Sequence, residues 1–202
     1  GSLGVNTTGC QNTGLGRNSL QDNTTGCRNV ALGLDSLSNN TTGECNTGVG
    51  FDAGSTITTG SNLTVLGSGA QPSSATATNE ITLGNSSVTS LRCADTSISS
   101  LSDLRDKKNV EDIPHGLDFI NALRPVKFDW NARDGSRIGK KDYGFIAQEL
   151  DQVEKDFDSA EYTRLVHKDN PEKWEADPMK TYPILIKAIQ ELTARVKELE
   201  NE

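Results

Sequence analysis

Four Thr-Thr-Gly triplets end at Gly9, Gly26, Gly43 and Gly60, each 17 residues after the one before. Other columns keep the same period. Asn6, Asn23 and Asn40 precede the triplets, and Asn12, Asn29 and Asn46 follow them. Leu15, Leu32, Val49 and Leu66 share a column, each followed by a glycine, Gly16, Gly33, Gly50 or Gly67. Leu3, Leu20 and Leu37 share another, which Gly54 breaks. A short fixed period of this kind restricts the chain to a solenoid or stacked array. The composition of the unit predicts short strands punctuated by Gly and Asn turns. One copy carries about two aliphatic side chains per 17 residues, too few to offset ordering that costs about 1–2 kcal/mol per residue. Three chains pooling aliphatics around one axis would meet the shortage. The expectation for residues 3–70 is therefore a homotrimeric β-stalk, its strands pairing between chains. A disordered Gly/Asn/Thr linker would need no aliphatic columns.

The repeat resembles those of phage tail fibres and of the head regions of trimeric autotransporter adhesins. Residues 71–79 read as a loop. Glu80–Gly84 and Ser87–Leu91 then alternate at period two, as strands do. Ile98 and Leu101 continue the apolar points, which predicts a narrower, intertwined strand region leading to a junction near residue 100.

Composition changes at that junction. Residues 1–100 hold 15 of the 19 glycines but one aromatic, Phe51, with 3 of the 20 basic and 6 of the 28 acidic residues. The formal net charge of −8 argues against a general nucleic-acid binder. No apolar run approaches the roughly 20 residues that span a bilayer, so neither nucleic acid nor membrane is expected as a partner. The opening Gly1-Ser2-Leu3-Gly4 has no signal-peptide character, and the chain is expected to be the tail end of a longer one. Cys10, Cys27, Cys45 and Cys93 show no CxxC spacing, which argues against a zinc site; no metal and no cofactor are expected. Cys10 and Cys27 fall in one repeat column and read as small apolar fillers rather than disulfide partners, reduced during assembly in a cytoplasm.

Residues 101–113 read Leu-Ser-Asp-Leu-Arg-Asp-Lys-Lys-Asn-Val-Glu-Asp-Ile. By themselves a serine and a lysine five apart suggest a capped turn with solvated charges. In this setting, however, Ser102-Asp103-x-Arg105-x-Lys107 resembles the opening of the intramolecular chaperone domain of endosialidase-type tailspikes, a family of self-cleaving peptidases. Gly116–Trp130, Tyr143–Leu150 and Tyr182–Leu192 follow in the family's order, so the resemblance covers roughly residues 80–202. It implies a single-turnover Ser–Lys serine endopeptidase acting on its own chain. Ser102 would be the nucleophile, Lys107 the base and Leu101–Ser102 the scissile bond, with Asp103 and Arg105 in possible support. The chemistry is sound on general grounds. A serine hydroxyl is a weak nucleophile until a base takes its proton, and a lysine serves only when desolvation or a neighbouring cation lowers its pKa. Arg105 and Lys108 flank Lys107 and are candidates for that field.

Beyond the junction, the sequence predicts a capped helix over residues 114–130, with Leu117, Ile120 and Leu123 on one face, ended by Arg124-Pro125. A strand at Val126–Trp130, a turn at Arg133–Ser136, a strand at Asp142–Ile146 and a helix from Ala147 follow. The acidic stretch Gln148–Glu161 reads as a solvated face, His115 and His167 as non-catalytic, and Trp130 and Trp174 as core or interface anchors. Tyr182, Leu185, Ile189, Leu192, Val196 and Leu199 are spaced 3, 4, 3, 4, 3, the a/d rhythm of a coiled coil. They form the expected trimerisation seam; the competing reading is an amphipathic helix lying on its own domain.

The expected class is thus mixed: a trimeric β-helical or β-prism stalk over residues 1–101, then an α+β domain over 102–202 ending in a coiled-coil helix. The expected function is the C-terminal region of a phage tailspike or fibre, whose chaperone domain trimerises the stalk and then releases itself by autoproteolysis. Expected partners are two further copies, upstream parts of the same fibre and a host-surface receptor reached by the mature fibre. The expected location is the virion after assembly in the host cytoplasm, without the released domain. The rival is a permanently attached tip that binds a host receptor. A glycan hydrolase is disfavoured, since the first half lacks a carboxylate pair with aromatic platforms.

Overall fold

The computed structural model describes residues 1–94, 98–135 and 137–201. The chain divides into two compact units, Gly1–Leu91 and Arg92–Glu202.

The first unit is a parallel β-solenoid of about four turns. Strands β1 (Thr13–Leu15), β2 (Val30–Leu32), β3 (Thr47–Val49), β4 (Thr64–Leu66) and β5 (Ile81–Leu83) stack in that order. Their register advances by one repeat per turn, with Leu15 beside Leu32, Leu32 beside Val49, Val49 beside Leu66 and Leu66 beside Leu83. These pairings lie within one chain, which corrects the expectation of strand pairing between chains. The core is equally self-contained. Leu20, Ala31, Leu37, Ala53, Ile57, Leu63, Val65 and Ala70 are at most 1% exposed and form one cluster.

The count of aliphatics per turn fell short because asparagines share the interior with them. Asn23, Asn29, Asn40 and Asn46 are fully buried. In one ladder Asn40 Nδ2 donates to Asn23 Oδ1 at 2.8 Å, and Asn23 Nδ2 to Asn6 Oδ1 at 2.7 Å. In the other, Asn12, Asn29 and Asn46 Oδ1 each accept the backbone N–H one turn on, at 2.9, 2.9 and 3.1 Å. Their amide nitrogens reach the triplet carbonyls of Gly26, Gly43 and Gly60. No buried side-chain polar atom among the described residues lacks a partner, so the interior avoids the cost of an unpaired buried dipole.

Two glycine positions follow from this geometry. A Cβ on Gly16, Gly33 or Gly50 would stand 2.3–2.7 Å from the carbonyl group of the glycine one turn on. The turns therefore approach through that column. Gly54 (φ +64°) keeps the left-handed backbone of its column, in which Leu20 and Leu37 both have φ +51°. Its missing side chain leaves room for Leu37 and Ile57, whose methyls would lie 2.7 and 2.9 Å from a Cβ there.

The Leu15 column points the other way. The middle residue of each strand faces in, and Leu15 is 70% exposed. These aliphatics line the outside rather than a central core. Ser87–Leu91 forms no strand; a turn closed by Val88 N–H on Asn85 O stands there instead. The described residues between 92 and 101 carry no strand either, with Ile98 and Leu101 largely exposed.

The second unit is α+β. A 3-10 turn (Leu104–Asp106) and α1 (Leu117–Ala122) lead to an antiparallel pair, β6 (Val126–Asp129) and β7 (Lys141–Gly144). Next come α2 (Ala147–Asp156), α3 (Ala160–Thr163), the pair β8 (Val166–His167) and β9 (Glu175–Ala176), and α4 (Tyr182–Glu200). The Arg133–Ser136 turn is seen through Gly135, whose N–H meets Ala132 O; Ser136 lies outside the described residues. The core is Phe119, Leu150, Val153, Leu165 and Ile184. His115 packs against Phe119 and Phe157. Neither tryptophan belongs to this core. Trp130 is half-buried beneath Arg137 and beside Phe128, and Trp174 stacks under Lys168.

The acidic stretch is not wholly solvated. Asp151 and Glu154 are 5% and 2% exposed. Glu154 Oε1 accepts the Thr163 hydroxyl and the Leu165 N–H, both at 2.6 Å, pinning the segment after α3 to α2. Asp151 pairs with Lys155 and Lys168, whose hydrogen bonds hold its carboxyl below the usual carboxylate range against the opposing effect of burial.

Candidate functional site

Asp103 starts the junction's local structure. Its carboxylate accepts the Arg105 N–H at 2.9 Å, capping the 3-10 turn, and takes the Arg105 guanidinium through Nε and Nη2. Asp106 and Lys107 N–H then close on Asp103 O and Leu104 O, both at 3.1 Å. One tight turn thereby carries Lys107 back over Ser102, and Lys107 Nζ stands 2.7 Å from Ser102 Oγ. The two residues singled out five apart in sequence are therefore within hydrogen-bond reach, the geometry a nucleophile–base pair needs.

Asp103 and Arg105 are partners of each other. The guanidinium holds the Asp103 carboxyl below its ordinary range, and the carboxylate raises Arg105. Arg105 is thus compensated rather than a free cation beside Lys107. Lys108 is exposed. Leu101, Ser102, Leu104 and Lys107 are all exposed in the single chain, Leu101 by 82%. The pair is formed, but none of the described residues of one chain covers it from water.

A second candidate surface is α4. Ile184 and Ala188, each 5% exposed, face the unit's own core, and Glu191 Oε2 caps α1 by accepting the Leu117 N–H at 2.8 Å. Tyr182, Leu185, Ile189, Leu192, Val196 and Leu199 lie on other faces and are 39–71% exposed. The helix packs on its own domain through one face while the whole predicted seam remains open. Exposed apolar surface of this extent marks an interaction site.

Among the described residues, no group of three or more His, Cys, Asp or Glu side chains is placed to hold a metal ion. No described helix is long and apolar enough to cross a membrane. Cys10 is exposed and Cys27 half-buried; they sit on the outside of the turns and are not the interior fillers expected.

The chain thus joins a fibre-like β-solenoid to an α+β unit that carries a capped Ser–Lys turn and an exposed apolar helix face. Residues 102–160 match the Peptidase_S74 family, chaperone of endosialidase. The match opens on Ser102 itself. It supports a phage tail chaperone role and implies a peptidase of the self-cleaving kind. Comparison with curated proteins and with solved structures gave no match.

Proposed function

We propose that residues 102–202 are a self-releasing trimerisation chaperone for the solenoid that precedes them. The observation that carries this reading is the 2.7 Å contact between Lys107 Nζ and Ser102 Oγ at the first residues of the family match. In the proposed reaction neutral Lys107 takes the hydroxyl proton as Ser102 Oγ attacks the Leu101 carbonyl carbon. The Leu101–Ser102 C–N bond breaks, and the Ser102 nitrogen leaves as an amine carrying the proton. Leu101 is left as an ester on Oγ. Water hydrolyses this ester, giving a Leu101 carboxylate and restoring the serine.

A lysine becomes a base when desolvated. Because the dyad is exposed in one chain, burial against neighbouring copies is the event that would switch it on. Cutting then follows assembly rather than preceding it. The open α4 seam supports a three-chain contact at the C-terminal end. The outward ladder of Leu15, Leu32, Val49, Leu66 and Leu83 supports lateral packing of the solenoids. The assembled stalk would belong to a virion fibre continuing upstream, with host-surface binding as its wider task. Mass analysis on a denaturing gel tests the proposal: fragments 1–101 and 102–202 form in the wild-type chain and not in Ser102→Ala. A chain that stays whole as a trimer would instead make the C-terminal unit a permanent tip.

A further inference from the structure

Cys10 and Cys27 occupy equivalent places on consecutive turns. Their sulfurs are 2.6 Å apart, and the Cys10 N–H also meets Cys27 Sγ at 3.0 Å. The Arg28 N–H bonds to Cys10 O, so the backbones run in parallel register here. Neighbouring strands lie about 4.8 Å apart, inside the Cα separation of roughly 4.4–6.8 Å that a disulfide accepts. Reaching the bonded S–S length of about 2.05 Å requires only a small approach. Both residues are accessible, Cys10 exposed and Cys27 half-buried. Cys45 is engaged elsewhere, its sulfur accepting Arg28 Nε at 3.2 Å while Arg28 also pairs with Glu44.

We propose that Cys10 and Cys27 form a redox site that closes to a disulfide between two consecutive turns of the solenoid. The oxidant is a small-molecule disulfide such as oxidised glutathione. One cysteine thiolate attacks it, breaking the S–S bond, forming a mixed disulfide and releasing one glutathione thiolate. The second cysteine thiolate attacks the protein sulfur of that mixed disulfide and releases the other. Two protein thiols are oxidised, one glutathione disulfide is reduced to two thiols, and the two thiol protons pass to the departing thiolates or to solvent. The hydrogen bond to Cys27 raises the Cys10 thiol above its ordinary pKa, so closure accelerates with rising pH.

The staple would tie two consecutive turns together covalently. Reducing cytosol keeps the pair as thiols while the chain folds, and an oxidising exterior closes it.

The test uses the full chain treated with oxidised glutathione, blocked with an alkylating reagent, denatured and cut with trypsin. Cleavage after Arg17, Arg28, Arg92 and Arg105 places the four cysteines in separate peptides, 1–17, 18–28, 29–92 and 93–105. The expected product is 1–17 linked to 18–28, monomeric on a non-reducing denaturing gel, with Cys45 and Cys93 alkylated. Cys27→Ser should trap Cys10 as its glutathione adduct, and Cys45→Ser should leave the linkage intact. Amide exchange at residues 13–15 should slow on oxidation and recover on reduction. Four alkylated cysteines, a dominant 18–28/29–92 link, or disulfide-linked dimers would overturn the site. Unchanged exchange in the linked protein would overturn its role as a clamp between turns.

Discussion

Asn29→Ala probes whether the asparagine ladder or the aliphatic cluster holds the solenoid together. The side chain is fully buried. Its Oδ1 accepts the Asn46 N–H at 2.9 Å, and its Nδ2 donates to Gly43 O at 2.8 Å. Gly43 O keeps a second donor, Asn40 Nδ2 at 3.1 Å, and Asn12 Oδ1 keeps the Asn29 N–H. The group left stranded is therefore the backbone N–H of Asn46. An orphaned buried donor costs about 1–3 kcal/mol, and the lost amide hydrogen bond adds about 1 kcal/mol. The expected destabilisation is about 2–4 kcal/mol. Asn12→Ala strands the Asn29 N–H in the same way, but the Asn12 side chain is itself only half-buried, so a smaller loss, about 1–2 kcal/mol, is expected. Urea unfolding of both variants in a Ser102→Ala background, followed by circular dichroism, gives the comparison. Asn29→Leu decides between the two views. A solenoid stabilised by aliphatics alone gains from the added apolar burial, whereas the ladder reading predicts a loss. A higher unfolding midpoint for Asn29→Leu would refute the reasoning.

Ser102→Ala and Lys107→Ala should each abolish the 102–202 fragment without preventing association, while Lys108→Ala cuts nearly normally; a fragment beginning at residue 102 from Ser102→Ala would remove the serine from the mechanism. Leu185→Asp or Ile189→Asp should block association and cutting together while leaving the domain folded, since Ile184 and Ala188 face its core. Sedimentation and gel analysis of one sample read both effects, and full cutting by a monomer would show that the dyad needs no neighbour. The depressed Asp151 carboxyl contributes stability in full above the unfolded value near about 3.9, lost as pH falls through the lower folded value. Acid unfolding of wild type and Asp151→Asn should therefore converge at low pH and separate above it; equal curves throughout would show that the ion pairs contribute nothing.

The period, the glycine columns and the apolar stripe of α4 were all legible in the sequence because each is a local pattern repeated several times. Which columns face inward was not. Strands of three residues cannot show by alternation which face is buried, so Leu15 and Leu20 looked equally internal. The Asn columns were visible, but asparagine by type signals a turn. Its burial depends on a partner one full turn away. Non-local partners also hid Asp151 and Glu154, which are buried by Lys168, Thr163 and Leu165 from beyond α2. The helix expected over 114–130 contracts to Leu117–Ala122. Arg124 and Pro125 halt it, and Glu191, 74 residues downstream, caps its start. At the junction spacing suggested only a turn; the resemblance named Ser102 and Lys107, and Asp103's cap explains how they meet.

The solenoid's closure within one chain moves the register problem from strand pairing to the packing of whole stalks. Each chain sets its own turns, because the fourth turn differs from those before it. Gly54, Ile57 and Leu63 stand there in columns that hold Leu37, Asn40 and Asn46 one turn earlier, and a turn placed in the wrong order would break both ladders. The outward aliphatic column is more uniform. Its ladder presents Leu15, Leu32, Val49, Leu66 and Leu83 at equal spacing. Three solenoids packed along it could slide by one rung, about 4.8 Å, and lose only the end contact. That near-degeneracy is what a C-terminal clamp must resolve in the proposed assembly. The α4 seam can do so because its residues are not equivalent: Tyr182 opens it, Ile189 lies near its middle, and Val196 and Leu199 close it. A clamp that fixes the lower ends of three stalks selects one of several similar packings before the outer ladders commit. In the proposed assembly, its removal once they have would leave each stalk held by neighbours with no device to realign them, and unfolding would become irreversible.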